Sequence, residues 1–155
     1  INISYKRILT VPTKKNDRIL CSFNPNTNLV ERAPLMNIAK QKKDIIDINN
    51  FAESNTYLKE LSNYSFNLCP EGNNYESHRI WESLIFKTTP IVINNIVNQN
   101  FYNMGIPLII LDSWDDLINL TINDLHKMNK KNVDKSYEIF VDLNFWKSQI
   151  QLAKS

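Results

Sequence analysis

Short apolar runs separated by longer amphipathic stretches make up most of this chain. Five runs, Ile19–Phe23, Ile45–Ile48, Tyr64–Cys69, Pro90–Ile93 and Pro107–Leu111, have strand length and are punctuated by Asn, Asp and Pro. Segments such as PIVI and PLIIL are apolar throughout and do not alternate, as expected of strands covered on both faces. Helices are expected between them. Pro34 makes the first begin near Ala33 or kink there. Ser54–Leu61 opens on a good N-cap residue. Glu76–Phe86 places Ile80, Trp81, Leu84 and Ile85 on one stripe of 3.6-residue period. Asn100–Met104 reads as a short helix stopped by Gly105, followed by Asp115–Leu117, Ile122–Met128 and a long apolar segment, Lys135–Leu152, that must pack on something.

Strands alternating with helices predict an α/β class, a Rossmann-like open parallel sheet with flanking helices. Ligands of such sheets bind beyond the carboxyl ends of the strands, where the strand order reverses. The residues that follow each strand are therefore the place to look for function. A length of 155 residues fits one domain spanning 1–155, with 1–17 a linker or N-terminal extension and 133–155 a closing helix.

Composition narrows the function. Hydrophobic residues at 43% and charged residues at 22% describe an ordinary globule. Eighteen Lys and Arg against 16 Asp and Glu leave a net charge of +2, too little for counterion release to drive binding to nucleic acid. No run approaches the roughly 18 apolar residues of a membrane span, and the first residues carry no secretory signal. The chain begins with Ile1, so a piece of a longer polypeptide is expected; localisation stays open, with the cytoplasm favoured. Cys21 and Cys69 sit inside apolar runs and read as small buried hydrophobes, not as a disulfide or a metal pair. With glycine only at Gly72 and Gly105, neither a dinucleotide fingerprint nor a P-loop is present.

The polar segment after the third strand, Pro70 to Arg79, runs straight into the strongest helix. A helix N-terminus offers free N–H groups and the positive end of the macrodipole to a phosphate, and Arg79 adds a fork of donors. Glu82, one turn on, could accept both hydroxyls of a ribose. The same i,i+3 spacing also suits a plain surface ion pair between Arg79 and Glu82. Asp115 and Asp116 are read as helix-start acids and not as metal ligands, and no Asp-x-Asp occurs.

The run SFNLCPEGNNYESHRIWESLIFKTTPIV with FYNMGIPLIILDSWDDL closely resembles the donor-side half of exostosin-like glycosyltransferases, family 47-like, from Ile19 to about Leu117. Their Cys-Pro-x-Gly loop precedes a helix bearing His-Arg and Glu. SFNPNTNLVER is also similar to the family's first donor-domain strand and its follow-on, and NFWKSQI to its closing helix. The resemblance implies the C-terminal lobe of a GT-B enzyme, binding a UDP- or GDP-sugar as donor substrate, with no tightly bound cofactor and no metal. It implies that Glu82 holds the ribose and that Arg79 approaches the diphosphate and stabilises the leaving group. Glu71, Asn73, Ser77 and His78 would line the phosphates or sugar, and Thr27 and Arg32 the same rim; Arg32 equally suits a surface cation, and His78 a first-turn residue without a ligand. A glycan or other hydroxyl acceptor and an N-terminal lobe or partner subunit are the implied partners. Because the base that deprotonates the acceptor commonly comes from that other lobe, no base is assigned. A non-catalytic sugar-nucleotide or carbohydrate-binding remnant and a structural α/β interaction module are the other readings.

Overall fold

The computed structural model describes residues 12–51, 54–130 and 142–152. Residues 1–11 of the expected extension, and 133–141 and 153–155 of the expected closing helix, lie outside the described residues.

Five parallel strands form one sheet: β1 (Asn16–Cys21), β2 (Ile46–Ile48), β3 (Tyr64–Leu68), β4 (Thr89–Ile93) and β5 (Ile109–Leu111). Their order is β2-β1-β3-β4-β5. The helices are α1 (Leu29–Gln41), α2 (Ser54–Ser62), α3 (His78–Ile85), α4 (Ile96–Asn103), α5 (Ile122–Asn129) and α6 (Leu143–Leu152). Single 3-10 turns span Pro25–Thr27 and Trp114–Ile118. This is the Rossmann-like α/β arrangement expected from the sequence.

Continuous apolar strands mean two cores. Ile19, Cys21, Ile91, Ile109 and Leu111 point to one face, packing with Leu35 and Ile38 of α1, Leu117 of the second 3-10 turn and Leu125 of α5. The intervening Leu20 meets Leu58 and Leu61 of α2, and Val92 meets Ile80 and Leu84 of α3. Each such side chain, buried almost completely, contributes about 1.5–3 kcal/mol. Phe145 and Trp146 of α6 join the second face, Trp146 edge-on to Trp81 at 5.6 Å. The apolar segment at the C-terminal end thus packs over α3.

Several boundaries differ from expectation, each for a local reason. Helix α1 starts at Leu29, because Asn28 caps it by accepting from the Glu31 N–H at 3.3 Å. Pro34 lies inside this helix on an exposed face, so the Val30 carbonyl deprived of its partner can turn to water. Helix α4 begins a turn early, at Ile96, since Asn95 accepts from Asn98 N–H at 2.7 Å. Gly105, with φ 91°, ends it in the left-handed conformation. Helix α3 starts at His78, two residues late; Glu76 lies outside it and accepts from the Trp81 indole. The sheet takes in Asn16 and Asp17 of the expected extension, with the Asn16 N–H bonded to Asn63 O at 2.6 Å. In the closing segment helix is present from Leu143, and Asp142 is outside it. No helix among the described residues is long and apolar enough to cross a membrane.

Candidate nucleotide-binding site

From β1 the chain steps outward to β2, then returns past β1 to build β3, β4 and β5. The loops leaving β1 and β3 thus stand at the reversal of strand order, where ligands of such sheets bind. The residues singled out by sequence lie on these loops and on the helices they enter.

Arg32 joins them. It is 5% exposed, and its guanidinium donates to Glu71 O at 2.7 Å, Asn24 O at 3.1 Å and Pro70 O at 3.4 Å while lying over the Phe23 ring. A phosphate would have to draw it away from these carbonyls. Burial, and secondarily the neighbouring Arg79, lower its pKa from the ordinary arginine value, so two guanidiniums share one electrostatic neighbourhood in a chain of net charge +2. Asn28 Nδ2 donates to Gly72 O at 3.1 Å, adding a second tie between the loops. Glu31 adds a third, accepting from the Glu71 N–H at 3.2 Å and the Trp114 indole at 3.0 Å. Its other oxygen, Oε2, is buried without a partner, and burial raises its pKa.

Arg79, in the first turn of α3, reaches across to β1. Its Nε donates to Ser22 O at 2.7 Å, and its Cζ stands 5.5 Å from the centre of the Tyr57 ring. Its terminal nitrogens make no hydrogen bond to the described residues. It borders a cleft of about 460 Å³ shared with Ser22, Phe23, Asn24, Pro25, Asn50 and Phe51. A hollow of about 260 Å³ beside β5 has Asp112 as the one charged residue among the described residues that line it, which disfavours an anion there.

Glu82 makes no ion pair with Arg79, so the surface pair that the spacing also allowed is not formed; its Oε2 is buried and unpartnered. Ser77 is buried at the N-cap of α3 in extended conformation and makes no capping bond, leaving the first-turn amides without a side-chain acceptor. His78 is exposed beside it. Glu71 accepts from Asn95 Nδ2 at 2.7 Å, whereas Asn73 and Thr27 stand exposed on the two loops. Asp116 forms a capping box with Ser113, and Asp115 lies in the same first turn, as expected of helix-start acids. Cys21 and Cys69 are free and buried, packed in different cores, and burial pushes both thiols up to about 12.

Sequence periodicity does not single out the polar chain beneath α3. Asn67, fully buried in β3, donates to Ser83 Oγ at 2.9 Å, and Ser83 Oγ donates to Arg79 O at 2.6 Å. An Asn inside the apolar run SFNLC was the available signal.

The family model for the RXYLT1 C-terminal domain matches residues 26–152, which include Arg32, the whole β3 loop and α3. The chain belongs to the RXYLT1 C-terminal domain family. This is an exostosin-related glycosyltransferase family, in keeping with the resemblance carried by the β3 loop and α3. No curated protein matches the chain significantly. In this member of the RXYLT1 C-terminal domain family the matched segment supplies Arg79 and Glu82, while Ser22 to Pro25 of the cleft lie just ahead of it.

Proposed function

We propose that this chain is the donor-binding domain of a glycosyltransferase, corresponding to the C-terminal lobe of a GT-B enzyme. Its donor is a nucleoside diphosphate sugar, of the UDP or GDP kind. The observation that carries this reading is the pairing of Arg79, whose terminal nitrogens are unspent at the edge of the cleft, with Glu82, whose Oε2 lacks a partner one turn away. A buried unpartnered carboxylate oxygen costs stability; Glu82 is not part of the cleft lining, and turning its carboxylate outward to ribose hydroxyls would relieve that cost. The diphosphate would lie against the uncapped first turn of α3 and the Arg79 guanidinium. As the glycosyl bond breaks, negative charge grows on the departing diphosphate. A fixed guanidinium and helix dipole stabilise that charge without reorganisation. Sugar transfer to a glycan or other hydroxyl acceptor would be completed with groups from an N-terminal lobe or partner subunit.

Calorimetric titration with UDP, GDP, CMP and their sugar conjugates tests this. Saturable binding of one nucleotide, weakened at least tenfold in folded Arg79→Ala and Glu82→Ala, is expected. Equal affinity in parent and variants would overturn the assignment.

A further inference from the structure

Arg79 owes its position to a residue that sequence periodicity treats as an ordinary helix position. The Tyr57 ring of α2 lies against the guanidinium at 5.5 Å, and the Ser22 carbonyl takes Nε at 2.7 Å. Together these contacts fix the guanidinium while leaving its terminal nitrogens unbonded. Tyr57 is 8% exposed, so the cation–π attraction acts largely out of water, where it is strongest.

Tyr57 is itself held firmly. Its ring tilts against Phe51 at 6.2 Å, and its hydroxyl accepts from Asn67 Nδ2 at 3.5 Å. The same Asn67 supports the Arg79 main chain through Ser83. One buried cluster thus anchors Arg79 twice, by its backbone and by its side chain. Glu82 belongs to the same surroundings: its charge, after burial, is a cause of the raised Tyr57 pKa. Without the ring, Arg79 would be free to fold onto Glu82 at i+3, and both groups would be lost to a ligand.

We infer that Tyr57 is a positioning residue of the donor site, holding the Arg79 guanidinium apart from Glu82 so that its terminal nitrogens meet the diphosphate. This rests on the donor-binding reading and adds to it a residue that need not touch the donor.

The test compares Tyr57→Phe, which keeps the ring, with Tyr57→Met, which keeps most of the volume but no aromatic face. Two readouts are needed, one of them independent of any nucleotide. In nitrogen–proton correlation spectra of the free chain, the Arg79 Nε–Hε signal, assigned by its loss in Arg79→Lys, should carry a ring-current shift in the parent and Tyr57→Phe. That shift should be absent in Tyr57→Met. In titrations with UDP and GDP, Tyr57→Phe should bind within about threefold of the parent and Tyr57→Met about tenfold more weakly. Tyr57→Met combined with Arg79→Ala should bind no more weakly than Arg79→Ala alone, because the tyrosine acts through the arginine. A merely structural tyrosine would lower the melting temperature in Tyr57→Met and leave affinity unchanged, which would overturn the inference. So would a parent Arg79 signal without a ring-current shift, a measurement that requires no variant to fold. If the parent binds neither nucleotide while the ring-current shift is present, the donor-binding reading is what fails, and the role of Tyr57 at a donor site falls with it.

Discussion

Replacing Arg32 with methionine removes a guanidinium that holds the loop after β1 to the loop after β3. The methionine keeps the apolar stem and much of its packing, so the change isolates the polar head. Two of the three carbonyls are at good distance, Glu71 O at 2.7 Å and Asn24 O at 3.1 Å; Pro70 O at 3.4 Å adds less. At about 1.5 kcal/mol for each good bond from a charged donor, with a few tenths from the Phe23 ring, the loss is about 3 kcal/mol. Urea denaturation reads this directly. With a slope of about 2 kcal/mol/M for a domain of this size, the midpoint should fall by about 1.5 M. Arg32→Lys should recover little, since an ammonium cannot span carbonyls from two loops as a planar fork does. A loss below about 1 kcal/mol would refute the reasoning, because the loops would then be held by their other contacts. An unchanged midpoint with weakened nucleotide binding would instead identify Arg32 as a phosphate ligand.

Two further predictions concern pH. Lys15 donates to Phe86 O at 2.6 Å, Thr88 Oγ1 at 2.8 Å and Tyr64 O at 3.2 Å, and burial, with Lys87 a smaller cause, pulls its pKa down to about 8. The unfolded chain then holds more protons between pH 8 and about 10, so stability should rise by about 1–2 kcal/mol from pH 7.5 to 9.5 in urea titrations. That rise should vanish in Lys15→Met, and a parent curve that is flat or falling would contradict the assignment. The Glu31 carboxyl is shifted the other way, upward, so the stability it contributes is fully present below about pH 4.3 and is lost as pH rises through the folded value. Glu31→Gln keeps an acceptor for Trp114 and the Glu71 N–H, and thermal unfolding should show it at least as stable as the parent at pH 7.5, with no advantage at pH 4; a loss above about 1 kcal/mol at pH 7.5 would count against it.

Helix α3 and its preceding loop could be recognised from sequence because their signal is local. Ile80, Trp81, Leu84 and Ile85 mark the buried stripe, and the loop residues are consecutive. The parallel sheet was legible for a similar reason, since strands buried on both faces lose alternation. Arg32 was harder to read: its partners in the β3 loop lie nearly forty residues away, and nothing near it in sequence distinguishes a buried staple from a surface cation. Tyr57 was hidden entirely, because α2 and α3 meet only after the chain has passed through β3. The Pro34 position misled because proline's cost depends on whether the orphaned carbonyl reaches water, which is a property of the folded face.

The two arginines divide the work at the switch point. On the donor-binding reading, the site at the switch point needs positive charge to attract a diphosphate and rigidity to present it, and a chain with a net charge of +2 offers little excess positive charge. Arg32 spends its donors on main-chain carbonyls, so it rigidifies the rim while its charge still contributes to the local potential. Arg79 spends one donor on Ser22, and its terminal nitrogens, unbonded to the described residues, are the ones that reading gives to the diphosphate. The order of dependence follows: loss of Arg32 should slacken both loops and so misplace Ser22, whereas loss of Arg79 should leave the fold intact. A double-mutant cycle on nucleotide affinity should therefore show Arg32 and Arg79 coupled through the β1 loop and not merely additive.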